Sequence, residues 1–360
     1  MSLKSSYRAS PTSLRPTYTA GPTALTPDGL YLLTTLHSTG VYITHLASSR
    51  VVARIKGDGT PITAIAVAPN TDPEGGEWLI LTAHQSLSVR YYPFSTTTAA
   101  DYLSLQETQP PFLTFTRQLT RAQTHQSPTL SLSVSPPVPG SDATLFATGS
   151  ADGTVKVWDT KGGFVTHVFR GHGGGVSAFS WRFHTTTPNG STMETSYANA
   201  PSNDGRIMQL LTGSVDTRVR VYDLLSPSAG AGKPVHVLEG HVSVVRGLDV
   251  AGEGRWLVSA GRDRVVLVWD LEAADKKGKK APKVVQTLLA SESLETVGFV
   301  SGTHGIQGVE QGRMVCYTGG ERGRVRLWDV LKGSEVAVVP GLEVDEEPEE
   351  DEQRGLAYVL

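Results

Sequence analysis

Val155-Lys156-Val157-Trp158-Asp159 ends a β-rich run with an aromatic-Asp pair, and the chain repeats this pattern three more times. The other copies are Val219-Arg220-Val221-Tyr222-Asp223, Val266-Leu267-Val268-Trp269-Asp270 and Val325-Arg326-Leu327-Trp328-Asp329. In the first three copies an Asp stands six residues before the aromatic residue, and a Thr or Ser stands four residues before that Asp. A His lies upstream of each of these three units. Such a recurrence predicts a repeat fold in which each copy forms one small sheet.

The pattern is the WD-repeat signature and predicts an all-β fold, a β-propeller with one four-stranded blade per copy. Three polar sets complete it: His125, Thr148, Asp152 and Trp158; His172, Thr212, Asp216 and Tyr222; His241, Ser259, Asp263 and Trp269. We expect the Asp to accept a hydrogen bond from the imidazole, which in turn reaches the hydroxyl and the indole. Such a network would satisfy polar groups that the fold buries.

A hydroxyl, a His and an Asp also suggest a nucleophilic triad, and hence a hydrolase. An active site normally occurs once, whereas this set recurs, so repetition favours a structural device. The sequence therefore predicts a chain that is not an enzyme, with no small-molecule substrate and no cofactor or metal.

At roughly 40–45 residues per blade, the chain holds six blades and the first strand of a seventh. The predicted divisions are 1–24 as an N-terminal segment and candidate closing strand, 25–342 as blades one to six, 343–354 as an acidic loop and 355–360 as the first strand of blade seven. Blade two carries a polar insertion over 95–111, and blade four one over 184–205. A propeller closes its ring to avoid exposed sheet edges. Either the ring closes with six blades, or the chain is a piece of a longer protein with an incomplete seven-bladed ring, and the count favours the second.

Blade six departs from the pattern. Arg322 occupies the Asp position, and Ser291-Glu292 stand where Gly-His is expected. The sequence therefore predicts that blade six lacks the network. Blades one and two also lack a matching Asp and a terminal Trp, and we expect the ring to be softer there.

Composition limits the other classes of function. Of 360 residues 39% are hydrophobic, which is enough for a large core. The net charge of −3 includes eight acids within 343–352, which leaves 32 basic against 27 acidic residues elsewhere. The single Cys316 excludes an intrachain disulfide and a multi-cysteine zinc site and indicates a reducing compartment. The sequence contains no apolar run long enough to span a membrane.

Basic side chains are the candidate partner contacts. Four arginines recur near the same turn of blades four to six, and four lysines fall in one loop of blade five: Arg218, Arg264, Arg322, Arg324, Lys276, Lys277, Lys279 and Lys280. The arginines are expected to form an arc on one face. The lysine loop could meet phosphates or simply be solvated, and the acidic loop could screen the arc.

Several stretches resemble one family beyond the generic repeat. They are Leu3-Lys4-Ser5-Ser6-Tyr7, Thr166-His167-Val168-Phe169-Arg170-Gly171-His172-Gly173-Gly174, Val245-Arg246-Gly247-Leu248-Asp249, Gly261-Arg262-Asp263 and Leu294-Glu295-Thr296-Val297-Gly298-Phe299. They are similar to the transducin beta-like protein three family, the tandem WD-repeat propeller subunits of the UtpB complex in the small-subunit processome. The resemblance runs to about residue 299 and covers the family's N-terminal propeller.

This resemblance implies a nucleolar scaffold that supports pre-rRNA processing and 18S rRNA maturation. Its implied partners are the other UtpB WD-repeat proteins and processome subunits, with pre-ribosomal RNA or snoRNA as further candidates. The alternative is an adaptor of another complex, such as a cullin ubiquitin-ligase substrate receptor. Those receptors often carry Arg two residues after the Trp-Asp pair, where this chain has Lys161, Glu272 and Leu331.

Overall fold

The computed structural model describes most of the chain between residues 21 and 339. The described ranges are 21–36, 40–70, 76–104, 109–120, 123–136, 144–185, 206–225, 232–251, 254–273, 281–300 and 313–339. They form six sheets, and the predicted all-β WD-repeat propeller is confirmed. The acidic loop at 343–354 and the strand expected at 355–360 lie outside the described residues.

Each sheet is one antiparallel blade. Blade one contains β1 (Thr23–Leu25), β2 (Tyr31–Leu36), β3 (Gly40–His45) and β4 (Arg50–Lys56). Blade two contains β5 (Ile62–Pro69), β6 (Trp78–His84), β7 (Val89–Phe94) and β9 (Arg117–Leu119). Blade three contains β10 (Thr129–Val134), β11 (Leu145–Ser150), β12 (Val155–Asp159) and β13 (Val165–Phe169). The first strand of blade one thus begins inside the predicted N-terminal segment 1–24.

The remaining blades repeat this order. Blade four contains β14 (Val176–Thr185), β15 (Arg206–Ser214), β16 (Val219–Asp223) and β17 (His236–Leu238). Blade five contains β18 (Val245–Val250), β19 (Trp256–Gly261), β20 (Val265–Asp270) and β21 (Lys283–Leu289). Blade six contains β22 (Leu294–Phe299), β23 (Val315–Gly320), β24 (Val325–Asp329) and β25 (Ser334–Val339).

A helix and an extra strand cover the edge of blade one, and the sequence pattern did not predict either. Helix α1 (Thr96–Ser104) lies within the predicted polar insertion, and β8 (Phe112–Leu113) follows it. Ala99 and Tyr102 of the helix are buried in the core shared by blades one and two. β8 pairs in parallel with β4, so it becomes a fifth strand of blade one and covers an edge that would otherwise be open.

Apolar cores lie between neighbouring blades. Val258 and Val266 of blade five, for example, are fully buried against Cys316 and Trp328 of blade six. Burial of a Val side chain contributes about 1.5–3 kcal/mol. The first strand of each blade packs against the first strand of the next, from β1 through β22.

The far side of blade six is uncovered in the part of the chain that the structure describes. Tyr317 and Val325 occupy the positions of Val258 and Val266, but they are 36% and 37% exposed. No comparable packing joins β22 to β1 within the described ranges. Within the described residues, the far side of blade six therefore lacks the packing that joins every other pair of neighbouring blades. None of the helices in the described ranges could cross a membrane.

Candidate functional site

Blade five holds the most complete of the polar sets. His241 Nδ1 lies 2.8 Å from Asp263 Oδ2, and His241 Nε2 lies 2.8 Å from Ser259 Oγ. The Trp269 indole donates a hydrogen bond of 2.9 Å to the same hydroxyl. Asp263 also accepts the backbone N–H of Val242. We call such a set the blade network, because it joins the loop before a blade to the second and third strands of that blade.

In blade four, Arg220 is part of the network, whereas the hydroxyl of the aromatic residue is not. His172 Nε2 lies 2.6 Å from Thr212 Oγ1, and Nδ1 lies 3.3 Å from Asp216 Oδ2. Arg220 Nη1 lies 2.7 Å from Asp216 Oδ2 and 2.5 Å from His172 Nδ1. The Tyr222 hydroxyl has no hydrogen-bond partner among the described residues, so Tyr does not replace the Trp indole chemically. The recurring spacing did not identify Arg220, although it lies on β16, four residues after Asp216 in the preceding turn.

In blade three, a Thr stands between the imidazole and the carboxylate. His125 Nδ1 lies 2.9 Å from Thr154 Oγ1, which donates a 2.5 Å hydrogen bond to Asp152 Oδ1. The direct His–Asp contact expected from the pattern is therefore absent between these two residues. The other half is as expected, because His125 Nε2 lies 2.8 Å from Thr148 Oγ1 and the Trp158 indole donates to that hydroxyl.

Blade two also has a network, but its Asp and His have exchanged their positions in the chain. His84 Nε2 lies 2.9 Å from the hydroxyl of Thr82, which occupies the position of Thr148. Asp58 stands four residues before its blade, where the other blades have His, and its carboxylate lies 3.4 Å from His84 Nδ1. Asp58 also accepts from Ser86 Oγ and from the N–H of Thr60. The sequence pattern requires His before the blade and Asp in the turn, so it does not recognise this set, although Asp58 has the spacing to its blade that His has elsewhere.

Blade six is joined to its loop by a carboxylate in place of an imidazole. Glu292 Oε2 accepts the N–H of Arg322 at 2.8 Å, and Oε1 lies 3.7 Å from Arg326 Nε. Arg326 also donates to Ser291 Oγ and to Glu335. The Trp328 indole still donates to Thr318 Oγ1. Blade six thus lacks the hydroxyl-centred network, as the sequence predicts, because Glu292 makes no hydrogen bond to Thr318. Glu292 nevertheless joins the loop before the blade to the turn that carries Arg322.

Burial controls the protonation of the two imidazoles in the networks of blades three and four. It lowers the pKa of His125 to about 4 and, together with the Arg220 cation, that of His172 to about 4. Burial alone would raise the pKa of Asp216, but the N–H of Gly173 and the Arg220 guanidinium lower it to about 2. His172 is thus neutral at pH 7, with Nδ1 accepting from Arg220 and Nε2–H donating to Thr212.

The network hydroxyls cannot act as nucleophiles toward a substrate in solvent. Thr148, Thr212 and Ser259 are each 0% exposed, and each already has two partners. A cleft of about 280 Å³ does border the blade-three network, and its walls include His125, Asp152, Lys156 and Arg170. Thr148 is not part of those walls. The geometry therefore fits structural joints better than catalytic triads.

The exposed turns between second and third strands carry the predicted arginines. Arg264, Arg322 and Arg324 are exposed and have no carboxylate partner among the described residues. Arg218 is exposed too, but it is paired with Glu239 at 2.9 Å. Lys276, Lys277, Lys279 and Lys280 lie outside the described residues. We call Arg264, Arg322 and Arg324, together with the exposed Val242 and Leu289, the arginine surface.

A second concave surface lies where the first strands of blades one to five end. It is a pocket of about 580 Å³, and its walls include Trp78, Phe179, Trp181 and Asp249. Burial raises the pKa of Asp249, and its carboxylate accepts the N–H of Phe299 at 2.7 Å. Asp249 thereby ties blade five to blade six.

The fold, the repeated blade networks and the surfaces around them define a WD-repeat β-propeller. A model described as "WD domain, G-beta repeat" matches residues 117–159, 163–223 and 232–270, which include the three complete polar sets. The chain is 30% identical over 199 residues to Transducin beta-like protein 3 of Rattus norvegicus, covering 55% of this chain and 21% of that protein. It is 26% identical over 200 residues to U3 small nucleolar RNA-associated protein 13 of Saccharomyces cerevisiae, covering 54% and 20%.

The alignment with a third protein is shorter. Nuclear distribution protein nudF of Aspergillus niger is 26% identical over 155 residues, covering 36% of this chain and 34% of that protein. The part of the chain aligned with the first two relatives spans about a fifth of their length.

Proposed function

We propose that this chain is a non-enzymatic scaffold propeller of the small-subunit processome, acting in nucleolar pre-rRNA processing and 18S rRNA maturation. The WD-repeat proteins of the UtpB complex and other processome subunits are its proposed partners, and pre-ribosomal RNA or snoRNA is a further one. The observation that carries the proposal is the similarity of more than half of the chain to Transducin beta-like protein 3 and to U3 small nucleolar RNA-associated protein 13.

The blade networks support a scaffold in preference to an enzyme. Polar residues that could perform chemistry are used to join blades, and their hydroxyls are buried. The exposed turns are left for recognition, which is how rigid scaffolds commonly carry binding residues. We propose Arg264, Arg322 and Arg324 as partner contacts, since each is an exposed cation without an ion pair among the described residues. Arg218 is the fourth proposed contact, and a partner's carboxylate would compete there with Glu239.

Affinity purification of the full-length protein that contains this chain tests the proposal. A tag at the native locus, followed by mass spectrometry and RNA sequencing, should recover UtpB WD-repeat proteins and U3 snoRNA above an untagged control. Recovery of cullin subunits, or of no processome subunit, would overturn the proposal. The first of these results would favour the adaptor alternative.

A charge-reversal pair tests the arginines. Arg264→Glu with Arg324→Glu should reduce recovery of the partners that contact this face. Lys161→Glu with Arg170→Glu changes the same charge at exposed positions of blade three and should leave recovery unchanged. Equal recovery with both pairs would remove the arginines from the interface while leaving the scaffold role testable by the purification itself.

A further inference from the structure

The arginine surface is continuous across blades five and six. The N–H of Ala290, next to Leu289, donates to the carbonyl of Arg264 at 2.8 Å. Two residues further on, Glu292 accepts the N–H of Arg322. The connection from blade five to blade six therefore links the two arginine-bearing turns directly.

This surface combines cations with unusually exposed aliphatic side chains. Val242 is 84% exposed and Leu289 is 74% exposed. Val242 lies close to Arg264, because its N–H donates to Asp263, the residue before Arg264. A phosphate backbone would satisfy the arginines but offer nothing apolar to the aliphatic side chains. A segment with both carboxylates and aliphatic side chains matches both features.

The sequence itself contains such a segment, and the last described strand ends beside this surface. Residues 342–352 read Leu-Glu-Val-Asp-Glu-Glu-Pro-Glu-Glu-Asp-Glu, with eight carboxylates and two aliphatic side chains. β25 ends with Val339 paired to Val325, and Arg324 is the residue before Val325. The chain thus leaves blade six beside Arg324. At about 3.3–3.6 Å per extended residue, thirteen residues reach up to roughly 45 Å.

We infer that residues 342–352 dock in cis on the arginine surface. Their carboxylates pair with Arg264, Arg322 and Arg324, while Leu342 and Val344 cover Leu289 and Val242. Tethering makes the contact intramolecular, with an effective concentration on the order of millimolar, so individually weak ion pairs suffice. The docking would hold whichever complex the chain enters, and an external acidic partner would have to displace it.

Paramagnetic relaxation in the full chain tests this docking. Glu347→Cys receives a nitroxide, while Cys316 is buried and stays unlabelled. Methyl signals of Leu289 and Val242 should broaden at low salt, whereas those of Leu130 and Val168 in blade three should not. At 1 M NaCl, where the Debye length is about 3 Å, the broadening should largely disappear. Equal broadening in blades three and five, or none in blade five, would overturn the inference.

Two controls identify the contacts and the occupant. Arg264→Gln, Arg322→Gln and Arg324→Gln together should abolish the broadening, whereas Arg117→Gln, Lys161→Gln and Arg170→Gln, a matched loss of three charges on and beside blade three, should preserve it. Mixing nitroxide-labelled chains with isotope-labelled chains that carry no nitroxide should give no broadening. Broadening in the mixture would assign the surface to a second copy and contradict docking in cis.

Discussion

His84 and Asp58 lie with Nδ1 and Oδ1 3.4 Å apart, in exchanged positions relative to the imidazole–carboxylate pairs of blades four and five. In each of these three blades, the imidazole still reaches the hydroxyl of the second strand through Nε2. What recurs is therefore the contact between imidazole and hydroxyl and the placing of a carboxylate beside the ring. The position in the chain of each residue type is secondary.

Replacing the carboxylate of the exchanged pair should destabilise blade two. Asp58→Ala leaves Thr60 Oγ1 and the N–H of Thr60 without their acceptor and removes one of the two partners of Ser86 Oγ. We expect a loss of about 1–3 kcal/mol in the free energy of unfolding by urea, the usual result of leaving partly buried donors unpaired. Asp101→Ala, on the exposed side of helix α1, should change it by less than about 0.5 kcal/mol. Equal effects of the two variants would show that the exchanged pair contributes nothing.

Removing the network hydroxyl of blade five should lower the free energy of unfolding more than removing that of blade six. Ser259→Ala removes a partner from both His241 Nε2 and the Trp269 indole, whereas Thr318→Val removes one only from the Trp328 indole. We expect losses of about 1–3 kcal/mol for the first and about half as much for the second. Urea unfolding followed by tryptophan fluorescence would measure both. A Ser259→Ala protein of unchanged stability that had lost hydrolytic activity toward an ester would instead revive the hydrolase interpretation.

Acid should weaken the fold before the carboxylates titrate. His125 and His172 have pKa values of about 4 in the folded chain because burial disfavours their charged forms, against about 6.5 when unfolded. The unfolded chain therefore binds more protons between these values, and stability falls as the pH drops from 6.5 to 4. From pH 7 to pH 5 each imidazole should account for about 2 kcal/mol of that loss.

His172→Gln measures the contribution of one imidazole to this pH dependence of stability. The variant should show a drop between pH 7 and pH 5 that is smaller by about 2 kcal/mol than that of the unsubstituted chain, measured by urea unfolding at each pH. Asp216, with its pKa lowered to about 2, contributes only below about pH 4 and does not enter this window. An unchanged slope would mean that His172 is not buried in its neutral form.

Repetition explains how much of this fold the sequence predicts. Trp158, Trp269 and Trp328 recur at one place in a blade, so their strands and indole contacts could be anticipated. The contacts of Asp58 and Glu292 could not be anticipated, because each of these acids stands where the pattern has His. Helix α1 was missed for another reason: its polar sequence, Thr-Thr-Thr-Ala-Ala-Asp-Tyr-Leu-Ser, shows little helical periodicity, and the burial of Ala99 and Tyr102 against blade one decides its structure.

The Tyr222 hydroxyl should be dispensable. It is buried without a hydrogen-bond partner among the described residues, and burial raises the pKa of Tyr222 to about 12. The ring itself stacks on Phe169 with centroids 4.3 Å apart. Tyr222→Phe keeps this contact and removes an unsatisfied polar atom, so stability to urea should stay the same or rise by up to about 1 kcal/mol. A loss above 1 kcal/mol would show that the hydroxyl has a partner, such as a buried water.

Glycine should be favoured at the left-handed position in the turns before the third strands. Gly153, Thr217 and Arg264 occupy equivalent places and all have φ between 65° and 78°. A β-branched residue is strained in this left-handed region. Thr217→Gly should therefore raise the free energy of unfolding by about 1 kcal/mol. Gly153→Ala should lower it, because an added Cβ would lie 2.5 Å from the carbonyl oxygen of His172. Thermal and urea unfolding of both variants would measure this, and a stabilising Gly153→Ala would contradict the close approach of the two loops.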